Sequence, residues 1–196
     1  MDLRDGLRFT EAMIKLNGLA GFSRWVLFSG MAFEEENLWW GACRKRLSSH
    51  EGIDLCAWED AAGGIGRLRG GAVVPAMAEG VVRHVEPDFL GHSIWVDLGR
   101  KEGGGGTLHA VYAHVVPAEG IRSGRAVAAG EPLAAVAAVG KVIPDHLHLS
   151  LAWVPERMPK EMFAWEKLVE GGVRFVDPLP CFEGNYRLGA EGEKPW

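Results

Sequence analysis

The sequence is poor in the features that mark several large classes of protein. It has three cysteines among 196 residues, and this small, odd number excludes a full disulfide framework. No run of 18 or more uncharged apolar residues occurs, so we expect no transmembrane helix. The first residues lack a basic segment followed by an apolar core and a small-residue cleavage site, so we see no secretory signal peptide in them.

Basic runs are also missing. The formal net charge is -5, whereas proteins that bind nucleic acid usually carry a basic patch that neutralises phosphates. The glycine run at 103–106 has no Lys-Ser/Thr partner of the kind found in phosphate-binding loops, and the helical zinc-protease motif H-E-x-x-H is absent. We therefore expect neither nucleic-acid binding nor a helical zincin site.

Length and composition fit one large domain with extensions. The chain is 47% hydrophobic, as is usual for a globular protein. Short apolar stretches separated by glycine turns recur over residues 72–153 and predict an antiparallel, mainly β domain. Two helices are expected in addition. One covers residues 10–20 and begins at Thr10, and the other covers 160–170 after Pro159.

Histidines occur in three short motifs. In the segment from His146 to Leu151 apolar and polar residues alternate, so a strand there would place His146, His148 and Ser150 on one face. The same alternation in residues 107–114 predicts that His114 shares a face with Tyr112, opposite to His109. We therefore do not expect His109 in the same site.

A third motif runs from His50 to Asp54. The spacing would suit one face of a helix, but Gly52 and the β-branched Ile53 favour an extended or turning segment. Catalytic zinc needs about three nitrogen or oxygen ligands and an open position. Four histidines and Asp54 can supply three ligands and leave two imidazoles for proton transfer, although each motif alone is more often structural.

The cysteines leave two alternatives open beside the first motif. Cys43 and Cys56 could pair with each other in an oxidising compartment. The thiolate of Cys56, two residues beyond Asp54, could instead close the zinc site as a fourth ligand, which would remove the open position that catalysis needs.

Taken in order, the motifs resemble those of the lysostaphin/LytM-type zinc metallopeptidases, a family of peptidoglycan endopeptidases. The resemblance covers residues 48–180. It is carried by His50-Glu51-Gly52-Ile53-Asp54-Leu55, Val73-Val74-Pro75-Ala76 with Glu79-Gly80-Val81-Val82, Gly91 to Gly99, Val111-Tyr112-Ala113-His114, Gly124 to Leu133 and His146-Leu147-His148.

The resemblance implies a mainly β fold, with an antiparallel, barrel-like duplicated hybrid motif core and a few flanking helices. It implies a metallopeptidase domain over 46–182, between an N-terminal extension (1–45) and a C-terminal tail (183–196). It further implies one zinc ion per chain, with three zinc ligands and two catalytic imidazoles. The implied ligands are His50, Asp54 and His148, and the implied catalytic residues are His114 and His146.

The implied substrate is a peptidoglycan peptide or another small-residue peptide. A cell-envelope or extracellular location follows from the family, while the cytoplasm stays open because no signal peptide is visible. Two loops, Trp58–Gly71 and Arg100–Gly106, are expected to rim the substrate groove. The acidic segment 34–37 is either a self-inhibitory plug over the zinc or a solvated turn.

Two other functions compete with the peptidase. One is a catalytically silent LytM-like module that binds or regulates, although such modules typically lack ligand residues and none is missing here. The other is a phosphocarrier on a related hybrid-motif fold, with a histidine as phosphoryl acceptor. Stoichiometric zinc would speak against the carrier.

Overall fold

The computed structural model describes residues 3–41, 45–101, 103, 105–138, 140, 143–190 and 192–193. Within these ranges the chain forms one α-helix, thirteen β-strands and three short 3-10 helices. The elements are α1 (Leu3–Asn17), β1 (Phe22–Leu27), β2 (Ile53–Leu55), β3 (Ala57–Asp60), β4 (Ile65–Arg67), β5 (Val73–Pro75), β6 (Gly80–Pro87), β7 (His92–Lys101), β8 (Gly106–Pro117), β9 (Ala126–Val127), β10 (Pro132–Val136), β11 (Leu147–Pro155), β12 (Arg174–Val176), β13 (Tyr186–Leu188), and the 3-10 helices Lys160–Met162, Trp165–Lys167 and Leu179–Phe182.

The predicted mainly β, antiparallel fold is confirmed. Strands β12, β11, β8, β7, β6 and β9 form the main path of a large sheet, and the pairs along this path are antiparallel. Strand β2 adds to β11, and β10 bridges β8 and β5. The long β7–β8–β11 ladder is the platform on which the site described below is built.

A second, four-stranded sheet has the order β13-β1-β3-β4. Strands β1 and β13 pair in parallel, with Trp25 opposite Tyr186. Residues near both ends of the chain therefore share a sheet with the β3–β4 hairpin. No helix in the part of the chain that the structure describes is long and apolar enough to span a bilayer.

Helix α1 begins earlier than the sequence predicted. It runs from Leu3 to Asn17, so Thr10 is an interior residue and not the first one. The Thr10 hydroxyl accepts a hydrogen bond from the Trp25 indole at 3.1 Å. This long-range partner accounts for a buried threonine that resembled a helix cap in the sequence, where only local partners could be considered.

The second predicted helix, over residues 160–170, is wrong. The segment forms two 3-10 turns, Lys160–Met162 and Trp165–Lys167, because Ala164 between them is extended with ψ 132°. Phe163 and Leu168 are buried against the outer face of the large sheet. Packing of these two side chains outweighs the local helix propensity of the segment.

The large sheet is covered on both faces where the site lies. Tyr112, Leu149 and Leu151 belong to the main core on one face. Val111 and Ala152 face a smaller cluster that contains Phe163. Strands β8 and β11 are therefore buried on both sides, and polar side chains on them need internal partners.

Candidate metal centre

Strand pairing brings the first and last histidine motifs together. Strand β2 lies antiparallel to β11 with Asp54 directly opposite His148. A Cβ atom at Gly52 would lie 2.4 Å from the carbonyl oxygen of Leu149, so this close approach requires glycine. The prediction of an extended or turning segment in place of a helix is confirmed, since the chain bends at Gly52 and is a strand from Ile53 to Leu55.

Three donor atoms meet at this pairing. His50 Nε2 lies 3.0 Å from His148 Nδ1 and 3.2 Å from Asp54 Oδ1, and His148 Nδ1 lies 3.0 Å from Asp54 Oδ1. Ligands at zinc distances of roughly 2.0–2.1 Å stand about 3.3 Å apart in a tetrahedral site. The triangle is slightly smaller than this value, and its nitrogen and oxygen atoms are of the type that zinc takes. The residues fit a metal ion.

Both histidines of the triangle are oriented through their second ring nitrogen. His50 Nδ1 lies 2.9 Å from the carbonyl oxygen of Ala32, to which it donates. His148 Nε2 lies 2.8 Å from the Ser150 hydroxyl. The carbonyl oxygen can only accept, so it fixes the His50 tautomer that presents a lone pair to a metal, while the Ser150 hydroxyl can accept from Nε2 of His148 and orients that ring. Ser150 thus shares a face with His148, as the alternation of β11 predicted.

The outer oxygen of Asp54 has two partners that the sequence did not indicate. The Trp39 indole donates to Asp54 Oδ2 at 2.6 Å, and the Arg46 guanidinium lies 3.4 Å from the same atom. Arg46 also donates to the carbonyl oxygen of Gly30 at 2.9 Å. These contacts leave Oδ1 for the triangle. They were invisible in the sequence because neither residue belongs to a recognised motif.

The charge states suit a metal site. Burial alone would raise the pKa of Asp54, but charge interactions with His50 and His146 outweigh burial and lower this pKa well below its usual range. Burial lowers the pKa of His148 to about 3, against the opposing influence of Asp54. Both directions favour an ionised carboxylate and a neutral imidazole, the forms in which these groups bind metals.

His146 lies beside the triangle without being part of it. Its Nε2 atom is 3.8 Å from Asp54 Oδ1 and has no hydrogen-bond partner among the residues that the structure describes. Its Nδ1 donates to the carbonyl oxygen of Pro144 at 2.7 Å. The Trp39 ring contacts it edge to face at 5.3 Å. The buried Nε2 therefore presents an unused lone pair next to the candidate metal.

His114 reaches the site by an interruption of its strand. Its ring centroid lies 5.0 Å from that of His146 and 5.7 Å from that of His148. The expected sharing of a face with Tyr112 is wrong, because Tyr112 is in the main core with its hydroxyl bonded to Met77. His114 has φ 62°, a conformation that costs a non-glycine residue about 1–3 kcal/mol and breaks the alternation of a strand.

Asp88 is a further residue that the motifs did not indicate. It follows β6, and its side chain is fully enclosed. Its Oδ2 accepts the main-chain N–H of His114 at 2.9 Å, and its Oδ1 lies 3.3 Å from His114 Nδ1. Nothing near Asp88 in the sequence points to His114, so only the folded chain could show this pair.

The site opens into a cavity of about 640 Å³. Its walls come from segments 38–40 and 45–51, the turn between β6 and β7, and the second 3-10 helix. Its lining residues are Leu38, Trp40, Lys45, Arg46, Leu47, Ser48, Glu51, Asp54, Glu86, Pro87, Asp88, Phe89, His114, His146, His148, Ala164, Trp165 and Glu166.

The described residues of the two loops expected to rim the groove do not line this cavity, and residues 102 and 104 of the second loop lie outside the described part of the chain. The described residues of 58–71 belong to the β3–β4 hairpin and its exit, and Gly106 pairs with Pro155 at the end of the β8–β11 ladder remote from His148. Residues 34–37 do not line it either. Instead Glu34 and Glu35 exchange main-chain hydrogen bonds with His50, so this segment supports the first motif.

The cysteines take no part in the triangle. Cys43 lies outside the described residues, while Cys56 is a buried free thiol. Burial raises the pKa of Cys56, which opposes the thiolate form that a zinc ligand needs. The group of candidate ligands found in the described part of the chain is His50, Asp54 and His148.

No family profile matches this chain, and no curated protein matches its sequence. Among solved structures it resembles LytU, with 20% identity over 79% of this chain and 85% of LytU, at a TM-score of 0.48. It also resembles the catalytic domain of the prophage-encoded M23 protein EnpA from Enterococcus faecalis, with 22% identity over 55% of this chain and 71% of that domain, at a TM-score of 0.40.

A third similar structure is a zinc-containing peptidase from Vibrio cholerae. The identity is 17% over 80% of this chain, the TM-score is 0.45, and the chain spans only 39% of that protein. The neighbours are lysostaphin/LytM-type proteins, the same type that the sequence motifs resemble. At these identities and TM-scores, the function of the present chain must be argued from its own residues.

Proposed function

We propose that this protein is a zinc-dependent endopeptidase that hydrolyses peptide bonds. The observation that carries the proposal is the meeting of His50 Nε2, Asp54 Oδ1 and His148 Nδ1 within 3.2 Å of one another, at the wall of an open cavity. Three protein ligands and an open side are the arrangement of catalytic zinc sites, whereas structural sites are closed by a fourth ligand.

The chain's own residues would divide the work. His50, Asp54 and His148 would hold the ion, with Trp39 and Arg46 keeping the outer oxygen of Asp54 occupied. When bound, zinc supplies a Lewis acid and lowers the pKa of a water ligand toward about 7.

His114 and His146 are proposed as the catalytic imidazoles. Their rings lie side by side at 5.0 Å, and both reach the cavity. Neither supplies an atom of the triangle. They can accept a proton from the attacking water, donate one to the leaving amine and hydrogen-bond the carbonyl oxygen of the substrate.

We propose a peptide of bacterial peptidoglycan as the substrate, in a stem or cross-bridge, and a cell-envelope or extracellular place of action. The resemblance of the motifs to the lysostaphin/LytM type supports both. Trp40, Phe89 and Trp165 line the cavity, so flat apolar walls flank the site. An extended chain of small residues would fit between these walls, and another small-residue peptide is the alternative substrate.

The experiment is digestion of purified cell-wall sacculi of several cross-link chemistries, and of glycyl peptides, with the zinc-loaded protein. Mass spectrometry should detect new amino termini, and both a chelator and Asp54→Ala should abolish them. Asp60→Ala is the matched control, since Asp60 accepts hydrogen bonds from Ala62 and Gly64 in the β3–β4 turn. Its digestion pattern should equal that of the unmodified protein.

A catalytically silent module of the same fold would give a different result. It would bind zinc or wall fragments without releasing amino termini from any substrate. A phosphocarrier would bind no stoichiometric zinc. The complete ligand triangle and the two further imidazoles argue for the peptidase over both alternatives.

A further inference from the structure

Asp88 makes more hydrogen bonds than its position in a turn requires. Its side chain is fully enclosed and faces four donors. Oδ2 accepts from the His114 main chain and the Ser93 hydroxyl, each at 2.9 Å. Oδ1 accepts from the Leu90 main chain at 2.9 Å and lies 3.3 Å from His114 Nδ1. Two of the four contacts therefore go to one residue, His114.

We propose that Asp88 is the positioning residue of His114. It holds the left-handed backbone turn that swings the ring out of the main core, and it fixes the tautomer in which Nδ1 carries the hydrogen. The proposal rests on the proposed function, because it gives His114 its part in that reaction. It also assigns different roles to His114 and His146, which the sequence could not distinguish.

The backbone part of the proposal follows from φ 62° at His114. A regular strand would direct this side chain toward the core that Tyr112 occupies. The turned residue is held on both sides, since its N–H donates to Asp88 and its carbonyl oxygen accepts from Ala137 at 2.9 Å. A disfavoured conformation persists only when such contacts over-determine it.

The tautomer part follows from the chemistry of a carboxylate. An ionised Asp88 can only accept hydrogen bonds, so a bonded Nδ1 of His114 must carry the hydrogen and Nε2 the lone pair. Burial would raise the pKa of Asp88, but hydrogen bonds from the His114 ring and from the main chains of His114 and Leu90 lower it, so Asp88 stays ionised. Asp88 thereby turns a proton acceptor toward the cavity.

The two imidazoles differ in the partner of Nδ1. His146 donates to the uncharged carbonyl of Pro144, whereas His114 faces a carboxylate. A proton that moves from the attacking water to Nε2 of His114 creates an imidazolium beside Asp88, and a charge-assisted hydrogen bond stabilises it. The same proton can then pass from Nε2 to the leaving amine nitrogen. His146 remains to accept a hydrogen bond from the substrate through the lone pair of its Nε2 atom.

Asp88 is itself held through Ser93 by Trp165, which also lines the cavity. The Trp165 indole donates to Ser93 Oγ at 2.9 Å, and Ser93 donates to Asp88. Ser93→Ala removes one of the four donors and leaves both contacts to His114. This variant should therefore have a smaller effect on the rate than any change of Asp88.

The first test needs no substrate. It is nitrogen-15 NMR of the histidine rings in the unmodified protein, with and without added zinc. We expect His114 in the Nδ1–H form under both conditions. The Nε2–H form in the unmodified protein would overturn the proposal. In Asp88→Asn the side chain has one acceptor oxygen and one NH2 group. Where the NH2 group faces Nδ1 of His114, it donates a hydrogen bond to that nitrogen, so the Nε2–H form of His114 should gain population.

Kinetics then tests whether Asp88 acts through His114. Asp88→Asn should lower kcat by roughly 10²–10⁴-fold, on the scale of losing a general base, with KM and zinc content unchanged. In a His114→Gln background the same change should cost nothing further, because residues that act as a unit are non-additive. Asp60→Asn is the control and should leave kcat unchanged.

An equal loss from Asp88→Asn in both backgrounds would contradict the proposal and mark Asp88 as merely structural. Failure of the proposed function would be visible separately. In that case the unmodified protein would cleave no peptide, while the ring NMR signals would still report the tautomer of His114.

Discussion

His109 and His114 lie on the same strand, β8, and both are largely buried, with 1% and 7% of their surface exposed. His109 sits in a regular part of the strand. Its Nδ1 donates to the carbonyl of Thr107 at 3.1 Å, and its Nε2 has no partner in the described part of the chain. His114 sits at a left-handed turn, contacts a carboxylate and lines the cavity.

The difference between them lies in the backbone and in one distant side chain. The His109 ring is buried beside Trp95. Burial lowers the pKa of His109 and favours the neutral ring. His114 leaves the core because its φ is positive, and Asp88 gives its ring a fixed partner. On strand β8, therefore, the histidine that reaches the cavity is the one at which the strand is interrupted and a carboxylate holds the interruption.

The largest expected contrast concerns metal. His148→Ala should lose bound zinc together with all cleavage, because it removes one of three ligands. His109→Ala should keep one zinc per chain. Elemental analysis of both variants after dialysis against buffer with trace zinc measures this, and retention of full zinc by His148→Ala would contradict the ligand assignment.

The next contrast separates a ligand from a catalytic imidazole. His146→Ala should keep zinc, because Nε2 of His146 lies outside the triangle, and should lose roughly 10²–10⁴-fold in kcat, the usual scale for a group that hydrogen-bonds or transfers a proton in the reaction. Zinc content and single-turnover cleavage are measured on the same preparation. Loss of zinc equal to that of His148→Ala would reverse the assignment of the two histidines.

A smaller effect is expected from the residues behind the ligands. Trp39→Phe removes the donor to Asp54 Oδ2 and should weaken zinc binding by about 10–100-fold, as losses of ligand-orienting contacts do. Trp40→Phe is the matched control, because Trp40 lines the cavity next in sequence. Competition with a fluorescent chelator measures the zinc affinity of each variant. Equal zinc affinities of Trp39→Phe and Trp40→Phe would show that the hydrogen bond from Trp39 does not contribute to zinc binding.

The smallest effect is expected at His109. His109→Gln should leave kcat and zinc content unchanged, and the loss of its hydrogen bond should cost about 1 kcal/mol in the free energy of unfolding. Urea denaturation measures the stability, alongside cleavage assays. A large fall in kcat with a normal unfolding curve would show that the site extends farther along β8 than the cavity does.

The sequence sufficed for the parts of the site that depend on strand geometry. Strict alternation in β11 predicted that His148 and Ser150 share a face, which is confirmed because both obey the regular two-residue period of a strand. Gly52 and Ile53 predicted an extended or turning first motif, and the chain bends at Gly52 and enters β2 at Ile53. The convergence of the distant motifs on one site was likewise confirmed by the three donor atoms.

The parts that failed depend on contacts between distant segments. Alternation placed His114 with Tyr112 because it assumes regular φ values throughout β8. Asp88 and Trp39 carry no local pattern that points to their partners, so only folding reveals them. The expected helix over 160–170 was lost to the burial of Phe163, which local propensity cannot anticipate.

Three atoms of this chain are proposed to hold one catalytic zinc ion, and anomalous diffraction at the zinc edge from crystals grown with stoichiometric zinc would locate it. We expect one peak, roughly 2.0–2.1 Å from His50 Nε2 and His148 Nδ1 and at a similar distance from Asp54 Oδ1. No peak there, or a peak coordinated by His114 and His146 instead, would contradict it.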